Sequence, residues 1–319
     1  MIARAARALA LAALAGAAAP AQDFAALYRR AEDLRLQGDA NAAEVRSAYA
    51  AAVHSFVALS ADAPGRAASL PAAAFAALQA GEPARAARWI EESLALGADD
   101  AWHAGLHVRA LALAGEARAA VAAVHRAHAR HPEAVRAAVA EVRAAAAGAL
   151  CEAADVALRE GRTDEGLLTF TLLVEVSGRQ PTALANCALA LRHVGREAEA
   201  EALYREAIAA APEDPELWND LGLLLKGQGR DAEAVDAFAR SLALDRDRPP
   251  SGPAISNLVA MARAGRVRDA AAGIADPVGA LSGVLARVPS AAMARRLLLA
   301  ELLDRPFPPD RADTRAPLR

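Results

Sequence analysis

Apolar and small residues return along this chain at three- and four-residue steps, the spacing of helices that bury one face. Between Pro181 and Arg246 the pattern repeats after 34 residues. Leu184, Cys187, Ala188, Leu191, Gly195, Ala200, Tyr204, Ala207 and Pro212 fall in the same places as Trp218, Leu221, Gly222, Leu225, Gly229, Ala234, Phe238, Ser241 and Arg246. Each segment reads as two helices with a glycine turn between them, because Gly195 and Gly229 end a run where a left-handed residue is needed.

The same period extends upstream from Ala67. Leu70, Ala74, Ala77, Gly81, Ala86 and Ile90 are followed 34 residues later by Ala104, Val108, Leu111, Gly115, Ala120 and Val124. Trp102 stands two places ahead of the position that Trp218 holds. Between Pro132 and Gly161 there is no break, so Val135, Val139, Val142, Ala146, Leu150 and Ala154 read as one extended helix. It carries about a dozen extra residues, which a shifted register or a boundary between two sub-stacks would also explain. Residues 22–66 read as an irregular helical pair acting as a cap, with Asp39 opening its second helix, and 67–248 as the repeat array. Arg248–Pro249–Pro250–Ser251–Gly252–Pro253 reads as a linker leading into a degenerate repeat and closing helices over 249–304, with a disordered tail at 305–319.

The 34-residue segments resemble the tetratricopeptide repeat, a helix-turn-helix unit with a W-x2-L-G-x2-Y, then Ala, Phe and Pro pattern. The resemblance implies an all-α fold, an α-solenoid in which helix-turn-helix repeats stack as a right-handed superhelix. It implies a protein-interaction scaffold, with a partner peptide or protein held on the concave wall of first helices. On that register the candidate binding residues are Arg192, His193, Glu216, Asn219 and Lys226 in the two best repeats, with Phe75, Trp102, Arg109 and Arg159 upstream. Gly222 and Ala188 fall where the two helices of a repeat cross, and Tyr204 and Phe238 where a large side chain wedges toward the next repeat. Self-association through the convex face or terminal helices is the second reading, making the chain an assembly subunit and homo-oligomer.

Composition agrees with helices. Hydrophobic residues make up 55% of the 319, much of it Ala, and aromatics only 4%. Residues 1–21 read as an export signal: Arg4 and Arg7, an apolar core from Leu9 to Ala19, then Ala19–Pro20–Ala21 as the cleavage pattern. Cleavage before Gln22 gives a periplasmic or secreted protein of the bacterial envelope without a membrane span; retention as an anchor is the alternative. Losing two arginines takes the net charge from −3 to −5, a poor balance for gripping nucleic acid.

Chemistry is sparse. Cys151 and Cys187 either bridge, if their Cα atoms come within about 7 Å, or pack as small hydrophobes. His103 and His107 share a helical face, as two zinc ligands would, but without a glutamate between them or an evident third ligand. A His-dependent metal-binding protein or hydrolase is therefore a remote reading. No phosphate loop or nucleophile elbow is present, so the sequence calls for neither an enzyme nor a cofactor.

Overall fold

The structure is a computed structural model that describes residues 19–37, 41–60, 62–63, 65–244, 253–264 and 266. The core of the export signal, Asp39, residues 248–252 of the linker, the closing helices and the tail lie outside the described residues, while Pro253, read as linker, is the first residue of a helix, where its missing N–H is harmless. Thirteen helices and no strand are found among the described residues. The chain divides into two compact units, one up to Arg179 and one from Gln180.

The first unit holds α1 (Ala19–Gln37), α2 (Ala42–Val57), α3 (Arg66–Gln79), α4 (Pro83–Ala95), α5 (Ala101–Leu113), α6 (Ala117–His128), α7 (Pro132–Arg159) and α8 (Thr163–Val176). Sequential helices pack on one another in pairs, and α3, α5 and α7 also pack side by side. Alanine makes this possible: Ala73, Ala74, Ala76 and Ala77 are wholly buried in α3, so helix backbones approach closely where larger side chains would hold them apart. The α1–α2 pair is different, built on rings. Phe24 and Phe56 lie 5.2 Å apart and Tyr28 and Tyr49 6.2 Å apart, between centroids. Within this cluster Glu32, 1% exposed, accepts a bond from the Tyr49 hydroxyl and a 2.8 Å bond from Arg35. The cap of α2 is Asn41, whose Oδ1 accepts from the Glu44 amide at 2.8 Å.

Helix α7 runs unbroken for 28 residues, about 42 Å at 1.5 Å per residue. Its two halves do different jobs. The N-terminal half lies on α5, where Gly105 faces Ala134; the C-terminal half lies on α8, where Gly166 faces Ala154 and Leu158. The extra dozen residues are therefore continuous helix inside one unit, and the unit boundary falls after α8 rather than at this junction.

The second unit holds α9 (Pro181–His193), α10 (Glu197–Ala210), α11 (Pro215–Gly227), α12 (Asp231–Leu244) and α13 (Pro253–Arg263). Proline at the first position opens α9 and α11, where a missing N–H is harmless. Gly195 and Gly229 close the first helices at φ 79° and 75°. The next amides reach back, Arg196 N to Leu191 O at 2.9 Å and Arg230 N to Leu225 O at 3.0 Å, which satisfies carbonyls the helix end leaves open. Phe238 packs inside its own pair, its ring lying on Gly222. The register alone points it at the following repeat; the missing side chain at Gly222 makes the slot that draws it inward. Both units are stacks of antiparallel helix pairs, the arrangement of an α-solenoid.

Candidate interaction surface

In the first unit, α3, α5 and the first half of α7 present their first-helix faces side by side. Phe75 on α3 and Trp102 and Arg109 on α5 line one cavity of about 100 Å³, with Ala134, Ala138 and Glu141 of α7 opposite. The register assigns these three to one wall, and the structure brings them together. The rings of Phe75 and Trp102 stand 6.4 Å apart at 39°. Phe75 is held from behind by Tyr49, edge-on at 6.1 Å, and by the Arg35 guanidinium at 5.8 Å. Trp102 sits in the first turn of α5, which Asp100 caps by accepting from the Trp102 and His103 amides at 2.9 and 3.0 Å. Arg109 Nε lies 2.8 Å from Glu141 Oε2 but out of line for a hydrogen bond, so a buried donor is left unsatisfied.

The other candidates are placed elsewhere. Arg159 is 65% exposed in its side chain and pairs along its own helix with Asp155 at 2.5 Å. In the second unit Arg192 and Lys226 are half-buried, and His193 and Glu216 are exposed. Asn219 is buried at 6%; its amide donates to Asp220 at 3.4 Å and its oxygen accepts from Asn257 of α13 at 3.3 Å. These bonds join α11 to α13, a structural use the sequence did not reveal. Burial pushes the neighbouring Asp220 carboxyl up, against the opposing pull of Arg192. Lys226 gives its carbonyl to Arg266 at 2.9 Å.

What the register missed is the α7 wall. Ala134, Ala137, Ala138 and Glu141 fall in the stretch where the period is lost, so nothing assigned the first half of α7 to this face. The signal was present in its unbroken apolar run, continuing from Val135 to Leu150.

Two histidines lie nearby, both 7% exposed. His103 Nε2 shares a 3.1 Å bond with Ser93 Oγ, and Nδ1 lies 2.9 Å from Asp100 Oδ1. The order Ser–His–Asp is that of a nucleophilic relay. Ser93, however, is 4% exposed and does not line the cavity, and Asp100 occupies the adjacent backbone amides. The cluster ties α4 to α5 as a buried polar link. His107 faces Glu91 at 3.4 Å, and burial holds its imidazole below the usual value despite that carboxylate. Among the described residues no three His, Cys, Asp or Glu side chains gather as metal ligands. Cys151 on α7 is half-buried and Cys187 on α9 is buried, in different units. No described helix is long and apolar enough to cross a membrane.

Two family models, both described as tetratricopeptide repeat, match residues 181–224 and 215–248. Residues 181–248 are tetratricopeptide repeats. The matches fall on the second unit's α9 to α12, whose landmark side chains are the best kept, while the repeats of the first unit share the helix pairing without those landmarks. Solved structures similar to this chain include MamA residues 41 to the end from Desulfovibrio magneticus RS-1, at 18% identity and TM-score 0.35, covering 57% of this chain and 96% of that one. A tetratricopeptide repeat protein from Parabacteroides merdae is 15% identical at TM-score 0.37, covering 88% and 99%. A repeat-containing protein from Cytophaga hutchinsonii is 11% identical at 0.41, covering 85% and 99%. Among curated proteins compared by sequence, none matches.

Proposed function

We propose that this protein is a non-enzymatic scaffold that holds a partner protein on the first-helix face of its first unit. The observation that carries this reading is the joining of Phe75, Trp102 and Arg109 around one cavity. Half-buried aromatic rings flanked by an arginine are the residue types that anchor protein partners most strongly. On the same register Arg192, His193, Glu216, Asn219 and Lys226 mark the first-helix face of the second unit, as a candidate surface of its own. The test is partner capture by the full chain, compared with Trp102→Ala, Arg109→Glu and a distant Arg159→Glu control. Loss in the first two alone supports the reading; loss in none of them contradicts it.

A second reading is self-association as an assembly subunit. It is favoured by a cleft of about 310 Å³ in the second unit, where the Arg240 guanidinium stacks 4.7 Å from the Trp218 ring above Ile208 and Leu221. A concentration-dependent mass in light scattering that Arg240→Glu abolishes would establish it, and a constant monomer mass would end it.

The place of action proposed is the bacterial envelope, on the signal pattern of residues 1–21. Helix α1 begins at Ala19, yet removal of 21 residues keeps Phe24 and Tyr28 of the ring cluster. N-terminal sequencing of protein recovered from the periplasm is expected to begin at Gln22; an intact Met1 start would contradict export with cleavage.

A further inference from the structure

The size and lining of the Phe75–Trp102 cavity specify what enters it, given that a partner binds this face. We propose that the cavity takes one leucine-sized aliphatic side chain of an extended peptide, and that a carboxylate within two residues of it on the same peptide engages Arg109. An apolar cavity of about 150 Å³ holds a benzene, so this one of about 100 Å³, open on one side, is filled by an isobutyl group and would leave much of an indole outside it. The walls are set before any ligand arrives. Tyr49 and Arg35 fix Phe75 from behind, and the capped first turn of α5 fixes Trp102. Little side-chain entropy is therefore lost on filling the slot. The floor is shallow because α5 and α7 nearly touch. A methyl added at Gly105 would come 3.3 Å from the Ala134 carbonyl oxygen, so no side chain from below occupies the space.

The polar preference follows from Arg109. Its buried Nε–H has no aligned acceptor, and the nearby Glu141 side chain is 55% exposed, free to swing into solvent. A peptide carboxylate approaching in line supplies the missing bond and replaces a poorly placed charge partner with a well-placed one. A basic residue at that place could pair only by taking Glu141 from Arg109, which would leave the guanidinium with a like charge beside it and still no aligned acceptor. The peptide class is thus aliphatic next to acidic, rather than aromatic or basic.

The test uses random peptides displayed against the full chain, followed by titration calorimetry of one enriched peptide with wild type and variants. Enriched sequences are expected to carry Leu, Ile or Met within two positions of Asp or Glu. Ala137 lines the cavity and is half-buried, so Ala137→Leu fills the slot without entering the core. That variant, and replacement of the peptide's aliphatic residue by Ala, should each weaken binding by about tenfold or more and should not add. Arg109→Gln should erase the preference for the acidic residue and keep the aliphatic one. Enrichment of aromatic or basic anchors, or binding indifferent to Ala137→Leu, overturns the proposal. If such peptides still lose affinity for Trp102→Ala, the first-helix face remains the docking site and only the anchor chemistry is wrong. If no peptide is enriched, or the enriched ones bind Trp102→Ala as well as wild type, both readings fall.

Discussion

Replacing Gly222 by Ala sets two effects of known sign against each other. Alanine favours the helix over glycine by about 1 kcal/mol. The added Cβ would lie 2.7 Å from Phe238 Cε1, 2.8 Å from Cδ1 and 3.0 Å from Cζ, three atoms of one rigid ring. Phe238 is wholly buried, so its ring has nowhere to move, and overpacking of this kind costs about 1 to 3 kcal/mol. The net expectation is a destabilisation of up to about 2 kcal/mol. Gly227 lies in the same helix, and a Cβ there would meet nothing within 4 Å. Gly227→Ala should therefore be neutral or stabilising by a few tenths of a kcal/mol, a fraction of the helix-interior gain because it ends the helix. Urea unfolding followed by circular dichroism reads both variants, with the m-value checked for a change in cooperativity. Adding Phe238→Leu to Gly222→Ala should recover part of the loss, because the smaller side chain vacates the slot. If Gly222→Ala stabilises as much as Gly227→Ala, the account of this helix crossing is refuted.

Gly166→Ala should be worse tolerated, costing at the upper end of about 1 to 3 kcal/mol in the first unit's unfolding, because its Cβ would lie 2.8 Å from the Ala154 backbone oxygen as well as 2.7 Å from Leu158 Cδ2. Tyr49→Phe removes the hydroxyl that donates to the buried Glu32 and should lower stability by about 1 to 3 kcal/mol in thermal melts, with Glu32→Gln in the same chain restoring part of it. Asp220 is harder to ionise folded than unfolded, so its contribution is fully present below the unfolded value of 3.8 and is lost as pH rises through the higher folded value. Asp220→Asn should remove that decline, so the stability difference between variant and wild type should grow from pH 3.8 upward in denaturant titrations; a difference independent of pH would count against the buried carboxyl.

The repeat was legible in the second unit because its landmarks are chemically distinct. Gly222 and Phe238 make one steric pair, and the glycines at 195 and 229 sit at positive φ where other residues are strained. In the first unit alanine does the packing, and alanine looks alike wherever it falls, so period alone carried the reading and gave out at α7. Phe75, Trp102 and Arg109 were placed by register, but the α7 residues facing them were not, since a dozen extra residues leave no mark inside a continuous helix. Asn219 has a second use that the sequence hides. An asparagine on the expected face looks like a ligand donor, and only the neighbouring α13 shows that Asn257 takes its side chain. Asp39 and Asn41 are both residue types that cap helices, and Asn41 is the side chain that bonds the α2 amide.

The central claim is that the first-helix face of the first unit, and not its outer helices, meets the partner. A photoreactive amino acid placed at the exposed Ala101, which lines the cavity, and separately at the exposed Arg126 of α6, tests this in cells. The account predicts a discrete cross-linked species from position 101 that disappears when Trp102→Ala is added, and none from position 126. A partner captured from 126 and not from 101 would contradict it.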